Sequence, residues 1–384
     1  MNTYFFIFGN TPQLSFAELK SILTDQEIKP VFDNMVAVEL ENDDKATQLM
    51  DILGGTVKIL KLEQEFTEKL DEDQTHQAVT ELLSSLAEKP TFAFTHHGDK
   101  TIDISDISIK KYLRKQGIKS RFLESGKGLS ASVLLHQKKV IEIYLIETEN
   151  ISYLAKTVGI QNIDQWTVRD RGKPYFNRKK GMLPPKVARM MVNLAISEKS
   201  EVRSEERKRQ ITIYDPFCGT GTILIEAMVR GYDVIGSDLD IESVYGSETN
   251  LIWFKGEYRL DNFYKIFKKD VSQVTSNDTS KKVDAIVTEP FLGKQTPDLN
   301  KVPNIFKGLE KLYLGAFKTW TKILNKGAKV VIIFPLIEAG HQRYDFHKLI
   351  DKLVDFDYTL EIEPIVYARK GAVVKRQICV FKWH

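Results

Sequence analysis

The chain has 384 residues, of which 42% are hydrophobic and 28% are charged, and its formal net charge is +3. These fractions are typical of a soluble globular protein, and the length allows two or three domains, each with its own core. No apolar run approaches the roughly 20 residues of a membrane-spanning helix, and the N-terminus lacks the features of a signal peptide. Two cysteines are too few for a disulfide framework or a zinc site. We therefore expect a cytoplasmic protein with no membrane segment and no metal site.

The first 158 residues predict two small α+β units. Residues 1–62 begin with a strand at Tyr4–Phe8 and follow the order β-α-β-α-β, which indicates a ferredoxin-like domain. Residues 63–158 predict helices and several strands, one of them over 133–135. His96 and His97 are too isolated for a metal site, so a loop or edge position is the better interpretation.

Two clusters of basic residues are the main feature of the charge distribution. The first spans 110–121, from a helix predicted over 107–116 to Arg121. The second, over 169–189, has eight basic side chains, one acidic side chain and interleaved aromatics. A solvated face is the ordinary explanation of one such cluster. Two clusters, with aromatic side chains in one of them, favour a polyanionic partner, with RNA the leading candidate. The residues that we expect to contact RNA are Lys110, Lys111, Arg114, Arg169, Arg171, Lys173, Arg178, Lys179 and Lys180.

The most informative segment begins with a β-branched run over 211–214, which predicts a short buried strand. A glycine turn follows, and an apolar pattern with helical spacing comes directly after it. A strand, a turn and a helix N-terminus in this order let free backbone N–H groups meet a negative group of a nucleotide-like ligand. The dinucleotide pattern Gly-x-Gly-x-x-Gly is excluded because Leu224 stands where the third glycine would be. We name this segment the cofactor turn, because we expect its residues to bind a cofactor; they are Asp215, Pro216, Phe217, Cys218, Gly219, Thr220 and Gly221.

Acidic residues end the first three strands predicted in this part of the chain, at Asp215, Asp238 and Asp270. In an open α/β sheet the ligand lies beyond the carboxyl ends of the strands, at the point where the strand order reverses. We expect Asp238 to accept hydrogen bonds from ribose hydroxyls, its neighbour Leu239 to belong to the same cofactor-binding site, and Asp270 to meet an adenine amino group. Helix capping is the alternative for each acid taken singly. Three acids in register favour a cofactor.

The fourth predicted strand, Val283–Thr288, is followed by Glu289, Pro290 and Phe291, which we predict to be catalytic. An exocyclic amine on a nucleobase is a poor nucleophile because its lone pair is delocalised into the ring. The Glu289 side chain and the Pro290 carbonyl could each accept one N–H, which would orient the nitrogen and draw charge from it as a bond forms. Phe291 could stack on a base swung out of its helix or loop. A plain turn after the strand is the alternative.

The two cysteines have simpler interpretations. A nucleophilic role for Cys218 would require a place beside the target base rather than in the cofactor turn, so packing of a small residue is favoured. Cys379 lies in the last predicted strand and is expected in the core.

The remaining elements complete a doubly wound α/β sheet over residues 159–384. A long helix is predicted over 305–324, a buried strand over 330–334 and a helix over 341–354. Two closing strands, over 358–363 and 376–382, predict an antiparallel hairpin. Seven strands with such a hairpin are typical of class I methyltransferases, whose sheet is Rossmann-like.

Four segments resemble the THUMP-domain RNA methyltransferases. Residues 215–221 are very similar to the first motif of that family, and 183–195 resemble the helix just before it. Residues 9–15 and 53–58 resemble the ferredoxin-like lead domain of the same proteins. Within the family, the chain is most similar to the tRNA guanosine N2-methyltransferases that act at position 10.

The resemblance implies S-adenosyl-L-methionine as the cofactor and tRNA as the substrate. It also implies a ferredoxin-like domain over 1–62, a THUMP-like RNA-binding domain over 63–158 and a methyltransferase domain over 159–384. One motif departs from the family. Where the family usually has Asp-Pro-Pro-Tyr, this chain has Glu289-Pro290-Phe291-Leu292, so the acceptor is one methylene longer and the aromatic ring comes one place earlier.

Several alternatives stay open on the sequence alone. The methylated group could be another exocyclic amine, such as a guanine N2 in rRNA or an adenine N6, and a non-catalytic RNA-binding protein with a degenerate fourth motif is the alternative from another class. The sequence does not distinguish monomethylation from dimethylation, nor does it tell whether a small activating protein subunit is required. A monomer is favoured.

Overall fold

The computed structural model describes residues 1–98, 104–124, 140–177, 182–196, 211–339 and 341–384. These residues form two compact units. The first unit comprises Met1–Pro12 and Asp25–Gln165, and the second comprises Gln13–Thr24 and Trp166–His384. Within the described ranges, no helix has the length and apolar character needed to cross a membrane.

The described residues of the first unit form one sheet of eight strands, in the order β2-β3-β1-β4-β8-β7-β5-β6. Its strands are β1 Asn2–Phe8, β2 Ile28–Phe32, β3 Met35–Leu40, β4 Thr56–Phe66, β5 Thr91–His97, β6 Arg121–Phe122, β7 Val140–Glu147 and β8 Ser152–Ile160. Strand β5 is parallel to β6 and β7, and the other neighbours are antiparallel. Pairing of β4 with β8 joins residues 1–62 and 63–158 in one continuous sheet. The strand predicted over 133–135 lies outside the described residues.

Among the described residues, three helices accompany this sheet, and each begins at a side chain that accepts a backbone N–H. They are α2 Asp43–Ile52, α3 Glu72–Leu86 and α4 Asp106–Lys115, numbered after α1 Pro12–Ile22. Asn42 caps α2, while Asp71 and Ser105 form capping boxes at α3 and α4. Apolar residues of α3 and α4 pack in one cluster with β5, β7 and β8, so these helices cover the second half of the sheet.

Helix α1 belongs to the second unit from Gln13 onward, although the sequence pattern placed it among the elements of the first 62 residues. The buried Glu18 accepts a hydrogen bond from Asn193 Nδ2 at 2.6 Å, and Ser21 Oγ donates to the Asn193 carbonyl at 3.1 Å. Leu14 lies in the same apolar cluster as the helix that carries Asn193. Buried polar contacts and apolar packing therefore hold α1 to the second unit.

The second unit contains a nine-stranded sheet whose main path is β11-β10-β9-β12-β13-β17-β15. Its strands are β9 Thr212–Asp215, β10 Asp233–Asp238, β11 Tyr264–Lys268, β12 Val283–Thr288, β13 Leu324–Ala339, β14 Gln342–Tyr344, β15 Tyr358–Leu360, β16 Ile365–Tyr367 and β17 Val374–Trp383. Strands β9 to β13 are parallel where they pair, and β17 is antiparallel to both β13 and β15. The strand order reverses between β9 and β12. This arrangement confirms the predicted α/β class and its antiparallel C-terminal strands.

The remaining helices are α5 Ile163–Arg171, α6 Pro185–Ala195, α7 Thr222–Val229, α8 Ile241–Tyr258, α9 Ser276–Thr279, α10 Val302–Trp320 and α11 His347–Leu353. The helix predicted over 341–354 begins only at His347, because residues 342–344 pair with β13 as β14. The long helix predicted over 305–324 is α10, which starts three residues earlier and ends at Trp320.

The central strands are hydrophobic throughout because both faces of the sheet are buried against other elements. Successive residues of a strand point to opposite faces, so Ile213 joins the cluster that contains Leu224, while Tyr214 joins the cluster of Tyr313 and Trp320. Cys379 lies fully buried in the second cluster, and burial raises the pKa of its thiol, as expected for a core residue. Helices on both faces thus leave the ends of the strands as the accessible part of the sheet.

Candidate functional site

The turn between β9 and α7 requires its two glycines. Gly219 has a φ of 51° and Gly221 a φ of 80°, which is the left-handed region where side chains are strained. A Cβ added to Gly221 would also lie 2.7 Å from Ser247 Oγ of α8. Gly221 is the N-cap of α7, so the first free N–H groups of that helix follow the turn directly. The residues of this turn therefore fit a cradle for a negative or polar group of a cofactor.

Asp215 joins the end of β9 to the end of β12. Its Oδ1 accepts hydrogen bonds from Thr288 Oγ1 at 2.7 Å and from the Phe217 N–H at 3.1 Å. The side chain is buried, and this burial raises the pKa of the carboxyl to about 7. Asp215 thus fixes the cofactor turn from within the protein and links it to the strand that leads to Glu289.

Asp238 supports the same turn from the end of β10. Its Oδ2 accepts the Gly219 N–H at 3.0 Å, and its Oδ1 accepts the Asp240 N–H at the same distance. Leu239, which follows, is 65% exposed at the edge of the sheet. The structure therefore places Asp238 beside the glycine turn, where the sequence pattern had predicted a cofactor contact.

Asp270 caps a short helical turn, which was the alternative to cofactor binding that the sequence left open. It precedes a short 3₁₀ turn, Val271–Gln273, and its Oδ1 accepts hydrogen bonds from Ser272 Oγ at 2.7 Å and Ser272 N–H at 2.9 Å. These bonds lower the pKa of the carboxyl. A contact between Asp270 and an adenine stays a prediction.

Asn250 of α8 makes contacts that the sequence pattern did not predict. Its Oδ1 accepts the Tyr175 N–H at 2.9 Å, while its Nδ2 donates to the Thr220 carbonyl at 2.9 Å and to the Tyr175 carbonyl at 3.1 Å. The Tyr175 ring lies so close to Gly246 that a Cβ there would be 2.3 Å from it. One buried amide therefore ties the segment around Tyr175 to the cofactor turn. A polar residue on the buried face of a helix was the only available sequence signal.

The structure corrects the expected RNA contacts of Arg169 and Lys173, because both side chains are buried. Arg169 Nε pairs with Glu226 Oε1 at 2.9 Å, and Arg189 Nη2 lies 2.7 Å from Glu226 Oε2. Lys173 Nζ donates to Thr222 Oγ1 at 2.9 Å, and burial lowers the pKa of this amine. Both basic side chains therefore contact polar groups of α7, the Glu226 carboxylate and the Thr222 hydroxyl, instead of solvent.

The other predicted RNA contacts differ in their placement. The side chain of Arg171 is 84% exposed. Three basic residues of α4 are also exposed: Lys110, Lys111 and Arg114. Three more predicted contacts lie outside the described residues: Arg178, Lys179 and Lys180. Exposure alone leaves the RNA role of the accessible residues a prediction.

Glu289 follows β12 and forms an ion pair that the sequence pattern did not predict either. Arg376 Nε of β17 donates to Glu289 Oε1 at 2.6 Å, and each of the two side chains is 18% exposed. Phe291 is 62% exposed, while its carbonyl accepts a hydrogen bond from the buried Tyr313 hydroxyl at 2.7 Å. Pro290 is buried between them. A partly exposed carboxylate and an accessible aromatic ring thus follow the strand that is bonded to Asp215.

Cys218 is part of the packing of the turn. It is buried among apolar residues that include Leu224 and Val234, and its N–H donates to the Ser237 carbonyl at 3.0 Å. Burial raises the pKa of its thiol well above the usual value. A protonated, buried thiol fits the packing role that the sequence favoured over a nucleophilic one.

Comparison with known proteins shows which protein family and which relatives the chain is similar to. Residues 174–345 match the family described as RMKL-like, methyltransferase domain. The tRNA (guanine(10)-N2)-dimethyltransferase of Methanothermobacter thermautotrophicus is 28% identical over 292 residues, which are 73% of this chain and 75% of that protein. The protein of the same name from Methanocaldococcus jannaschii is 28% identical over 250 residues, and the match spans 64% of this chain and only 58% of that protein. The probable tRNA (guanine(10)-N2)-dimethyltransferase of Methanothermococcus thermolithotrophicus is 33% identical over 124 residues, 32% of this chain and 70% of that protein.

Solved structures support the fold. TrmN from Thermus thermophilus aligns over 100% of both chains with a TM-score of 0.56 and 14% identity. SMU.472, a putative methyltransferase complexed with SAH, aligns over 100% of this chain and 99% of its own with a TM-score of 0.50 and 13% identity. At these identities the two structures show a shared fold.

Gly221 offers a direct test of the cofactor turn. Gly221→Ala should weaken S-adenosylmethionine binding by at least about 10-fold, because the new Cβ is strained at this φ and collides with Ser247. Isothermal titration calorimetry measures the affinity. Gly231→Ala is the matched control, since Gly231 has a φ of 84° but nothing within 4 Å of its Cβ position. It should cost about 1 kcal/mol of stability and leave the affinity unchanged; equal affinities in both variants would contradict the assignment.

Asp215 makes stability depend on pH. Burial raises the pKa of Asp215 from its ordinary value of 3.8, which it has in the unfolded chain, to about 7 in the folded protein. The folded state therefore loses stability as pH rises from about 4 through 7. Asp215→Asn removes this loss. The free energy of unfolding of the variant minus that of the wild type should therefore rise by about 2–3 kcal/mol between pH 5 and pH 8. Denaturant unfolding at both pH values measures the difference. An unchanged difference would show that Asp215 is ionised at little cost.

Proposed function

The chain belongs to the methyltransferase family that includes the tRNA (guanine(10)-N2)-dimethyltransferases, and we propose that it methylates the exocyclic N2 of guanosine 10 in tRNA. It is an enzyme, and its cofactor is S-adenosyl-L-methionine. The observation that carries the proposal is the placement of Glu289 and Phe291 directly after β12, with β12 bonded to the cofactor turn through Thr288 and Asp215.

The cofactor supplies an electrophilic methyl group on a sulfonium. In the chain, the turn over 216–221 and the first N–H groups of α7 would hold its polar end, while Asp238 would accept hydrogen bonds from ribose hydroxyls. Asp215 would keep the turn in place from within the protein, because its carboxyl group is buried and accepts a hydrogen bond from Thr288. Asn250 restrains the same turn at the Thr220 carbonyl.

Glu289 and Pro290 would act on the amine. The guanine N2 donates one N–H to Glu289 Oε2 and the other to the Pro290 carbonyl, which holds its lone pair toward the methyl group. As the new N–C bond forms and the bond between the sulfonium and the methyl group breaks, which leaves a neutral thioether, positive charge would develop on N2, and the carboxylate of Glu289 would stabilise it. One N2 proton then passes to Glu289 Oε2 and from there to water, since the side chain is partly exposed. Phe291 would stack on the extruded base.

The tRNA would also be held by the first unit. Lys110, Lys111 and Arg114 form an exposed basic face on α4, which suits contacts to phosphates. We propose three domains along the chain. Residues 1–62 form a ferredoxin-like N-terminal domain, residues 63–158 form a THUMP-like RNA-binding domain, and residues 159–384 form the methyltransferase domain. A monomer in the cytoplasm is the proposed working form, with or without a small activating protein subunit.

Transfer to a defined RNA separates this function from its alternatives. An unmodified tRNA transcript incubated with labelled cofactor should yield N2-methylguanosine or its dimethyl form at position 10 after nuclease digestion. The matched control is the same tRNA with inosine at position 10, which lacks only the exocyclic amine and should accept no label there. N6-methyladenosine, or label in rRNA alone, would favour another exocyclic amine. Cofactor binding without any transfer would favour a non-catalytic RNA-binding protein.

Glu289→Gln tests the proton acceptor. The amide still fills the site but cannot take the proton, so kcat should fall on the order of 100-fold or more, while cofactor affinity changes by less than about two-fold. Single-turnover kinetics and calorimetry measure the two quantities. An unchanged kcat would show that Glu289 takes no part in the chemical step. A loss of cofactor binding would show that Glu289 acts in binding the cofactor instead of accepting the proton.

The basic face of α4 can be tested by salt dependence. The double variant Lys111→Gln/Arg114→Gln should weaken tRNA binding and reduce the slope of log K against log salt by about 2, because two phosphate contacts are lost. Lys29→Gln/Lys89→Gln removes two exposed charges elsewhere in the first unit and is the matched control. Lys110 is kept, since its amine lies over the Phe122 ring. Equal slopes in both variants would exclude α4 from the interface.

A further inference from the structure

Arg376 contacts Glu289 from a different and more rigid element. Glu289 is the first residue after β12, while Arg376 lies within β17, where its backbone pairs with Pro335 of β13 on one side and Tyr367 of β16 on the other. Two neighbouring strands therefore fix the position from which the guanidinium reaches the carboxylate. A group on such an element can hold a loop residue in one geometry.

The ion pair between Arg376 and Glu289 uses only one of the two carboxylate oxygens, so the other oxygen can accept a hydrogen bond from a ligand. Arg376 Nε donates to Oε1 of Glu289 at 2.6 Å. Among the described residues, Oε2 of Glu289 has no hydrogen-bond partner. A glutamate side chain has three rotatable bonds, so a charged hydrogen bond to one oxygen restricts the directions available to the other.

We propose that Arg376 is a positioning residue for methyl transfer, which holds Glu289 by Oε1 so that Oε2 accepts an N–H of the guanine amine. The proposal rests on the proposed function, since it assigns Arg376 a part in the same step. Arg376 itself touches neither the methyl group nor the amine. Its contribution is orientation of the acceptor, which is expressed in the rate of transfer rather than in the binding of either ligand.

Two other roles for Arg376 make different predictions. A partly exposed ion pair that only supports the fold would affect stability and leave kcat unchanged. A guanidinium that binds a phosphate of the RNA would change the KM for tRNA and the salt dependence of binding. The split between kcat and KM therefore distinguishes the three roles.

Arg376→Met, which keeps much of the side-chain length, should lower kcat by about 10- to 100-fold with the KM for tRNA and the affinity for S-adenosylmethionine within about two-fold of wild type. Arg376→Lys should recover part of the rate, because it restores the charge without the planar donor geometry. Lys375→Met is the matched control. It removes the neighbouring pair between Lys375 and Glu338 and should leave kcat unchanged.

A double variant completes the test. In a Glu289→Gln background, Arg376→Met should cause little further loss of kcat, because the group that Arg376 positions is already disabled. Unchanged kcat in Arg376→Met, an effect confined to the KM for tRNA, or fully additive losses in the double variant would each overturn the role. A wild-type protein that transfers nothing to tRNA would refute the proposed function and this role together, whereas an active wild type with an unaffected Arg376→Met variant would refute the role of Arg376 alone.

Discussion

The hydrogen bond from Thr288 to the buried carboxyl of Asp215 joins the two strands between which the order of the sheet reverses. The cofactor turn follows one of these strands, and Glu289 follows the other. Because burial raises the pKa of Asp215 to about 7, this link is maintained at the cost of desolvating a carboxyl group. Such a cost is typical of sites where geometry serves function rather than stability. In the proposed mechanism, the relative position of the cofactor and of Glu289 depends on this contact.

Further side chains restrain the site from separate elements. Asp238 holds the Gly219 N–H from the end of β10, and Asn250 holds the Thr220 carbonyl from α8. Arg376 holds the Glu289 carboxylate from β17. Each contact joins residues that are at least 19 positions apart in the chain. The flexible turns of the site are thus fixed by polar groups on regular structure, which is how a site made of loops can remain preorganised.

The parts of this site that the sequence predicted are those with local causes. Two glycines at positive φ and acids at strand ends belong to short motifs, so the amino-acid pattern alone predicted the turn after β9 and the acid at the end of β10. That these residues bind a cofactor stays a prediction. Arg376 could not be found this way, because its partner is 87 positions away and neither residue signals the other. The same reason explains Arg169, whose charge counted toward a basic cluster although Glu226 neutralises it inside the fold. Helix α1 was assigned by its place in the chain, whereas its buried contacts lie with Asn193.

In the proposed mechanism, Glu289 accepts an N–H of a guanine amine beside the bound cofactor. The most direct measurement is a crystal structure of the protein with S-adenosylhomocysteine and a tRNA that contains guanosine at position 10. We expect an extruded guanine whose N2 lies within hydrogen-bond distance of Glu289 Oε2 and the Pro290 carbonyl. Its ring should stack on Phe291, and Arg376 should still pair with Oε1. A guanine N2 directed away from Glu289, or a different base seated in its place, would contradict it.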